Sequence, residues 1–339
     1  MSGADHPLLR QAASTRQLRQ ADLRGADLRQ ADLRGWSLQE VLLDSADLRG
    51  ARLDDASLDG CRLWRARLES SSVRAASLHA CDLRQAVLDE ADAEHAMLTE
   101  CCLADSRWRA ARLYHAQLQD CEHAGADYGG ADLTRCSAEA ADWRRVGLRG
   151  TRLHTAFLRD ACLDGQDLRE CELVACDFSG ASLRGCQLSD MALERTQFSD
   201  ADLSQCDLRR ATLRMARLQG ARLAEGQLQQ VQAHHVVADR ALFTAARADA
   251  STWNGCVLRR SRWRDAVLAA ARLTSCDWSF GELHGADLRD AELSLVNLHA
   301  CEPAQAIHEL ARCSNCLDTD PELLQAQRWQ PPTDKEYRS

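Results

Sequence analysis

Leucine returns at every fifth residue through most of this chain. The stretch Gln20 to Arg34 reads as one phrase, A-D-L-R-x, repeated three times. Taking every fifth residue from Leu18 to Leu298 gives 57 positions, of which 41 are Leu; most others are Phe, Trp, Tyr, Val or Ala. The residue two places before is Ala or Cys in 40 of the 57. A fixed internal period decides the architecture, so it is read before local propensity.

Five is neither the helical nor the strand period. On a helix each step of five turns the leucine by about 140°, which scatters it around the cylinder. On a plain strand odd steps alternate faces. One geometry satisfies the pattern. Ala or Cys and the Leu two residues on share one side of a short extended segment, and the chain turns a corner before the next Ala. The winding chain becomes a tube with a small and a large side chain pointing inward from each wall. The residue between them and the two after Leu face out.

These repeats resemble the pentapeptide-repeat family, with its pattern A-(D/N)-L-x-x, over roughly residues 16 to 300. The resemblance implies an all-β solenoid: a right-handed quadrilateral parallel β-helix with four repeats per coil. That amounts to about 14 coils, and with strands stacked ~4.8 Å apart a rod on the order of 65 Å long. Neighbouring coils then satisfy the backbone, and the interior needs only apolar side chains. The expected organisation is an N-terminal cap (1–15), the β-helix (16–301), a helical C-terminal cap (302–330) and a loose tail (331–339).

Composition narrows the function. The chain has 339 residues, 45% apolar, with formal net charge −9. It contains no apolar run of membrane-spanning length, and Met1 to Arg16 lacks a signal-peptide layout, so a cytoplasmic protein is expected. Twelve of the 16 cysteines occupy the small inward slot usually held by Ala. Cys61, Cys81, Cys101 and Cys121 are twenty residues apart and should stack as reduced thiols, since parallel Cβ vectors ~4.8 Å apart suit a disulfide poorly.

Local departures mark points of interest. Trp36 and Met191 are large for the small slot, Gln166 is polar there, and His123 replaces a leucine. Bulky Tyr128 and Trp143 flank the undersized Ala138, and Phe243 and Trp253 surround Ala233, Ala238 and Ala248, which conserves packed volume. Residues 224–252 read as the weakest stretch: a bulge, a widened coil, a bend or regular coils. Asp5 ahead of Pro7-Leu8-Leu9 predicts a short helix. After Cys301 two helices are expected, over 303–312 and, with Asp320 as N-cap, over 320–329. They form a lid plugged by Leu310, Leu323 or Trp329; the alternative is a homodimer through these helices.

Chemistry is sparse. No nucleophile elbow, zinc-protease, P-loop or dinucleotide motif occurs, and a filled tube offers no deep substrate pocket. No catalytic residue and no cofactor are assigned. Cys313 and Cys316 have C-x-x-C spacing and are the metal candidates, needing His308 and Cys301 to complete a set of four. Function therefore falls to the outer surface. Outward apolar residues include Trp64, Tyr114, Phe157, Val237 and Val257, the last two expected as vertical neighbours; with Trp329 they are the candidate interaction surface.

The first expectation is a non-enzymatic rod that binds a protein partner, with no direct nucleic-acid or membrane binding. The resemblance adds an accessory role in bacterial effector delivery such as type VI secretion. Its alternative is a duplex mimic that binds DNA gyrase, conferring quinolone or toxin resistance. A 65 Å duplex carries about 38 negative charges, far above the net charge here.

Overall fold

Each repeat contributes one backbone rung to a ladder whose partner lies exactly one coil away. Asp22 bridges Leu42, Asp27 bridges Asp47, Asp32 bridges Arg52, and Gln17 pairs with Ser37, all in parallel. The shared interval of twenty residues defines a four-sided coil. In the computed structural model, which describes residues 6–301, 306, 307, 309 and 311–328, this register persists as a parallel β-solenoid of about 15 turns.

The walls are named by their first coil: wall one (17–20), wall two (22–25), wall three (27–30) and wall four (32–35), each continuing at intervals of twenty. On wall one the rungs lengthen into a six-stranded parallel sheet: β1 (Gln17–Arg19), β2 (Ser37–Gln39), β3 (Ser57–Asp59), β4 (Ser77–His79), β5 (Met97–Thr99) and β6 (Gln117–Gln119). On wall four a second sheet comprises β7 (Thr212–Arg214), β8 (Gln232–His234), β9 (Thr252–Asn254), β10 (Arg272–Thr274), β11 (Glu292–Ser294) and β12 (Arg312–Ser314).

The corner explains why the repeat is five residues long. Ala26 N–H donates to Leu23 O at 3.1 Å, closing a turn over Arg24 and Gly25. Gly25 has φ +66°, and the equivalent last residue is left-handed along the chain, including Gln30 (+56°) and Ser45 (+55°). Thirteen of the 17 glycines among the described residues take such a positive φ, where the absence of Cβ removes the steric cost. Leu23 N–H then bonds Leu42 O (2.8 Å) and Leu42 N–H bonds Ala21 O (2.9 Å), so the wall is satisfied from coil to coil.

The leucine column and most of the small-residue column are buried as one continuous core, against which Ala21, Ala26 and Cys121 pack partly buried. Aromatic residues fill it where leucine is replaced. Tyr128 stacks on Trp143 (5.9 Å between centroids), and Phe243 stacks on Trp263 (3.8 Å) beside Trp253. Trp36 and Met191 are accommodated in the small slot at 6% exposure. Gln166 is satisfied there, its Nε2 donating to Trp143 O and Val146 O at 2.5 and 2.9 Å. Residues 224–252 are regular coils: Gln227 bridges Arg247, and β8 pairs in register with β7 and β9.

The ends modify the expectations. Helix α1 (Pro7–Ala12) starts after His6, which makes no side-chain cap, and buries Leu9 against the first coil. Near the C-terminus the described residues of the expected helix over 303–312, which are 306, 307, 309, 311 and 312, are not helical and contribute to a further turn. Ile307 bridges Asp287, β12 pairs with β11 and Leu317 bridges Asn297. The reason is register: Ala306, Ala311 and Cys316 still offer small residues at intervals of five, and the neighbouring coil supplies the rungs. Helix α2 (Pro321–Arg328) does form, with Asp320 Oδ1 accepting from Glu322 N–H and Leu323 N–H. Leu323 is 46% exposed and plugs nothing. His299 ties the helix down, its Nδ1 accepting from Asp320 N–H while Nε2 lies 3.0 Å from Gln327 Oε1. Leu310 and Trp329 lie outside the described residues.

Candidate functional site

With the interior filled, chemistry is left to the walls, and they differ. On walls two, three and four, over the coils from residue 22 to 210, acidic and basic side chains balance to within one charge per wall. The common device is Asp-Leu-Arg closed on itself: Arg24 grips Asp22 with two side-chain bonds of 2.9 and 2.6 Å, and Arg49 grips Asp47 likewise. The Arg24 guanidinium pulls the Asp22 carboxyl down to about 2. Both partners are solvated, so such a pair mainly neutralises the surface.

Wall one is different. Between Ser37 and Asp200, this wall and the corner that follows it carry Glu40, Asp59, Glu100, Asp120, Glu139, Asp160, Asp177 and Asp200 against Arg159 alone, a net charge of −7. None of these eight carboxylates forms an ion pair with an arginine among the described residues. Asp59 meets His79 at 2.8 Å, which raises the His79 pKa, and Asp177 accepts from the Ser179 hydroxyl at 2.6 Å. Met97 and Phe157 project from the same wall at 42% and 45% exposure. The composition explains the contrast: the rung position there is mostly Ser or Gln, so the Asp-Leu-Arg clamp never forms.

The individual candidates separate accordingly. Phe157, Val237 and Val257 share wall one, and Val237 bridges Val257 directly. Trp64 stands on wall two, half-buried beneath Arg65, whose guanidinium carbon is 4.3 Å from the ring centroid. Tyr114 is on wall four, edge-on to His115 at 4.6 Å, and accepts from Arg135 Nη1 at 3.4 Å. Those two therefore belong to other faces, and Trp329 lies outside the described residues. The missed feature is the acidic stripe, visible in sequence only when residues are sorted by their place in the twenty-residue coil.

The cysteines are structural in position. Each ladder thiol donates to a carbonyl 23 residues earlier: Cys61 to Leu38 O (3.3 Å), Cys81 to Leu58 O (3.5 Å), Cys101 to Leu78 O (3.4 Å) and Cys121 to Leu98 O (3.4 Å). Burial pushes the Cys176 thiol up to about 12 and Cys301 to about 11. Cys313 is exposed on β12, while half-buried Cys316 donates to Leu293 O at 3.6 Å. Among the described residues no group of three or more His, Cys, Asp or Glu is arranged to hold a metal ion, and His308 lies outside them. No described helix is long and apolar enough to cross a membrane.

A four-sided parallel solenoid built on a five-residue inward pattern defines the class of protein. A family model of pentapeptide repeats matches eight copies, over residues 17–35, 37–74, 76–107, 162–200, 193–232 and 266–301. The chain belongs to the pentapeptide-repeat family. Comparison with curated proteins gives no match. Among solved structures it is similar to full-length QnrB1, a plasmid-mediated fluoroquinolone resistance protein, at 17% identity, covering 56% of this chain and 94% of that one, with TM-score 0.34. HetL, involved in heterocyst differentiation regulation in the cyanobacterium Nostoc sp. strain PCC 7120, is 25% identical, covering 86% and 95%, with TM-score 0.18. Rfr23 from the cyanobacterium Cyanothece 51142 is 17% identical, covering 48% and 95%, with TM-score 0.16.

Proposed function

We propose that this chain is a non-enzymatic scaffold that binds a protein partner along wall one. The observation that carries the reading is the concentration there of carboxylates that no arginine among the described residues neutralises, beside three nearly neutral walls. Such a stripe steers a basic surface and sets its orientation. Met97 and Phe157, exposed on this wall, supply the apolar anchors that charge alone lacks. A component of an effector-delivery apparatus is one partner of this kind.

The acidic wall also favours a second reading, a duplex-like ligand for a topoisomerase. Nine coils span about 40 Å, over which B-DNA carries roughly 23 charges, about three times the net charge of the wall. Mimicry of this density gives a weak competitor for DNA.

The test is affinity capture from the native host with the wild-type rod and a Glu100→Lys/Asp120→Lys/Asp160→Lys variant. A partner held by wild type and lost by the variant is the expected result; equal recovery by both would remove wall one from the function. Gyrase supercoiling assays decide the second reading, which fails if micromolar protein neither inhibits nor protects.

A further inference from the structure

Past Asp200 the edge that carries the acidic stripe changes sign. Arg217, Arg240, Arg259 and Arg260 follow on wall one and its corner, against Asp239 alone up to that point. Around the corner, on wall two, stand Arg222 and Arg262, flanking the half-buried Leu242 one coil from each. Arg222, Arg240, Arg260 and Arg262 together line one surface depression of about 600 Å³, completed by Gly220, Leu242, Phe280 and Glu282.

The pairing that silences arginines elsewhere is weak here. Among the described residues Arg222 and Arg260 form no ion pair; Arg240 reaches Asp239 only at 3.6 Å, and Arg262 meets Glu282 at 3.1 Å. Arg260 lies over the Phe280 ring, 5.4 Å from its centroid, and so is held at the rim. Four guanidinium groups against one lining carboxylate leave a positive hollow on an acidic rod.

We propose that this hollow binds a short acidic segment of a partner protein, with carboxylates or phosphoryl groups in the arginine cradle and an apolar side chain on Leu242 and Phe280. Guanidinium groups suit such anions through paired hydrogen bonds. Length selects the class of ligand. The four arginines span three coils, about 10 Å of rise. Beyond them the same edge carries Asp200 and Asp177 on one side and Asp277 on the other, which repel a nucleic acid laid along the rod. A free phosphate, in turn, leaves the apolar rim uncovered. The site is independent of the acidic wall, and each can fail without the other.

The test is fluorescence anisotropy at low salt with a labelled peptide carrying acidic residues on both sides of one leucine. Saturable binding is expected, weakened roughly tenfold by each of Arg222→Gln and Arg260→Gln, the scale of one charge-assisted hydrogen bond. Arg184→Gln, elsewhere on wall two, should leave it unchanged. Glu282→Gln should tighten it, a gain that misfolding cannot imitate. No saturable binding, weaker binding in Glu282→Gln, equal affinity for a peptide with leucine replaced by glycine, complete displacement by tripolyphosphate at equal concentration, or tighter binding of single-stranded DNA would each overturn the proposal.

Discussion

Inside the tube His123 Nδ1 lies 3.1 Å from the Tyr128 hydroxyl, with the imidazole centroid 5.7 Å from that of Trp143. His123 Nε2 and Trp143 Nε1 are buried without a hydrogen-bond partner among the described residues. Burial lowers the His123 pKa to about 4. Between that value and the ordinary 6.5 the unfolded chain binds a proton that the folded chain refuses. Stability contributed by the neutral imidazole is therefore present above pH 6.5 and is lost as pH falls toward 4, on the order of 3 kcal/mol at full extent. Urea midpoints measured across this range should slope for wild type and flatten for His123→Leu. An identical slope in both would place the pH dependence elsewhere.

Trp263 is fully buried and lies against Phe243 at 3.8 Å. Replacing it by alanine removes a large inward side chain from wall two, in a stretch whose other three walls already use Ala233, Ala238 and Ala248 at the large inward position. The cost expected is about 3–5 kcal/mol. Because each coil touches only its neighbours, hydrogen exchange in Trp263→Ala should accelerate first in the adjoining coils. Uniform acceleration from one end to the other would contradict this locality.

The corner residues give a prediction of opposite sign. Ala75 holds φ +51° at an exposed corner. A left-handed alanine costs roughly 1–2 kcal/mol that glycine does not. Ala75→Gly should raise the melting temperature, whereas Gly25→Ala, at φ +66° with open space around the added Cβ, should lower it through backbone strain alone. Calorimetry of the two variants checks both signs.

These corners show what the sequence made legible and what it did not. Leucine at every fifth place named the inward columns from Leu18 to Leu298, because burial acts on each residue separately. The left-handed corner was written there too, in glycines such as Gly25, Gly35 and Gly50, but other repeats place Gln30 or Ser45 at the same point and mask the rule. The last turn was hidden for another reason. Ala306 and Cys316 keep the small slot while Cys313 and Asp318 replace leucine, so the repeat survives through backbone pairing to β11 and not through its apolar mark. The acidic wall escaped because charge on a four-sided coil is a property of residues twenty apart, not of neighbours.

Thiol chemistry should follow position. Eleven cysteines, among them Cys61, Cys176 and Cys276, are buried, and Cys313 is exposed. Titration with an aromatic disulfide under native conditions should label Cys313 fastest and leave the buried eleven unreacted until the chain unfolds. Cys313→Ser should abolish the fastest phase. Rapid labelling of Cys176 in the native protein would be incompatible with the packed interior.

The uniform twenty-residue register makes direction a matter of counting. Removing four consecutive repeats between the acidic stretch and the arginine hollow shortens the rod while both keep their bearing. Removing a single repeat instead swings everything downstream through a quarter turn, so two binding partners that once faced the same way would stand at right angles.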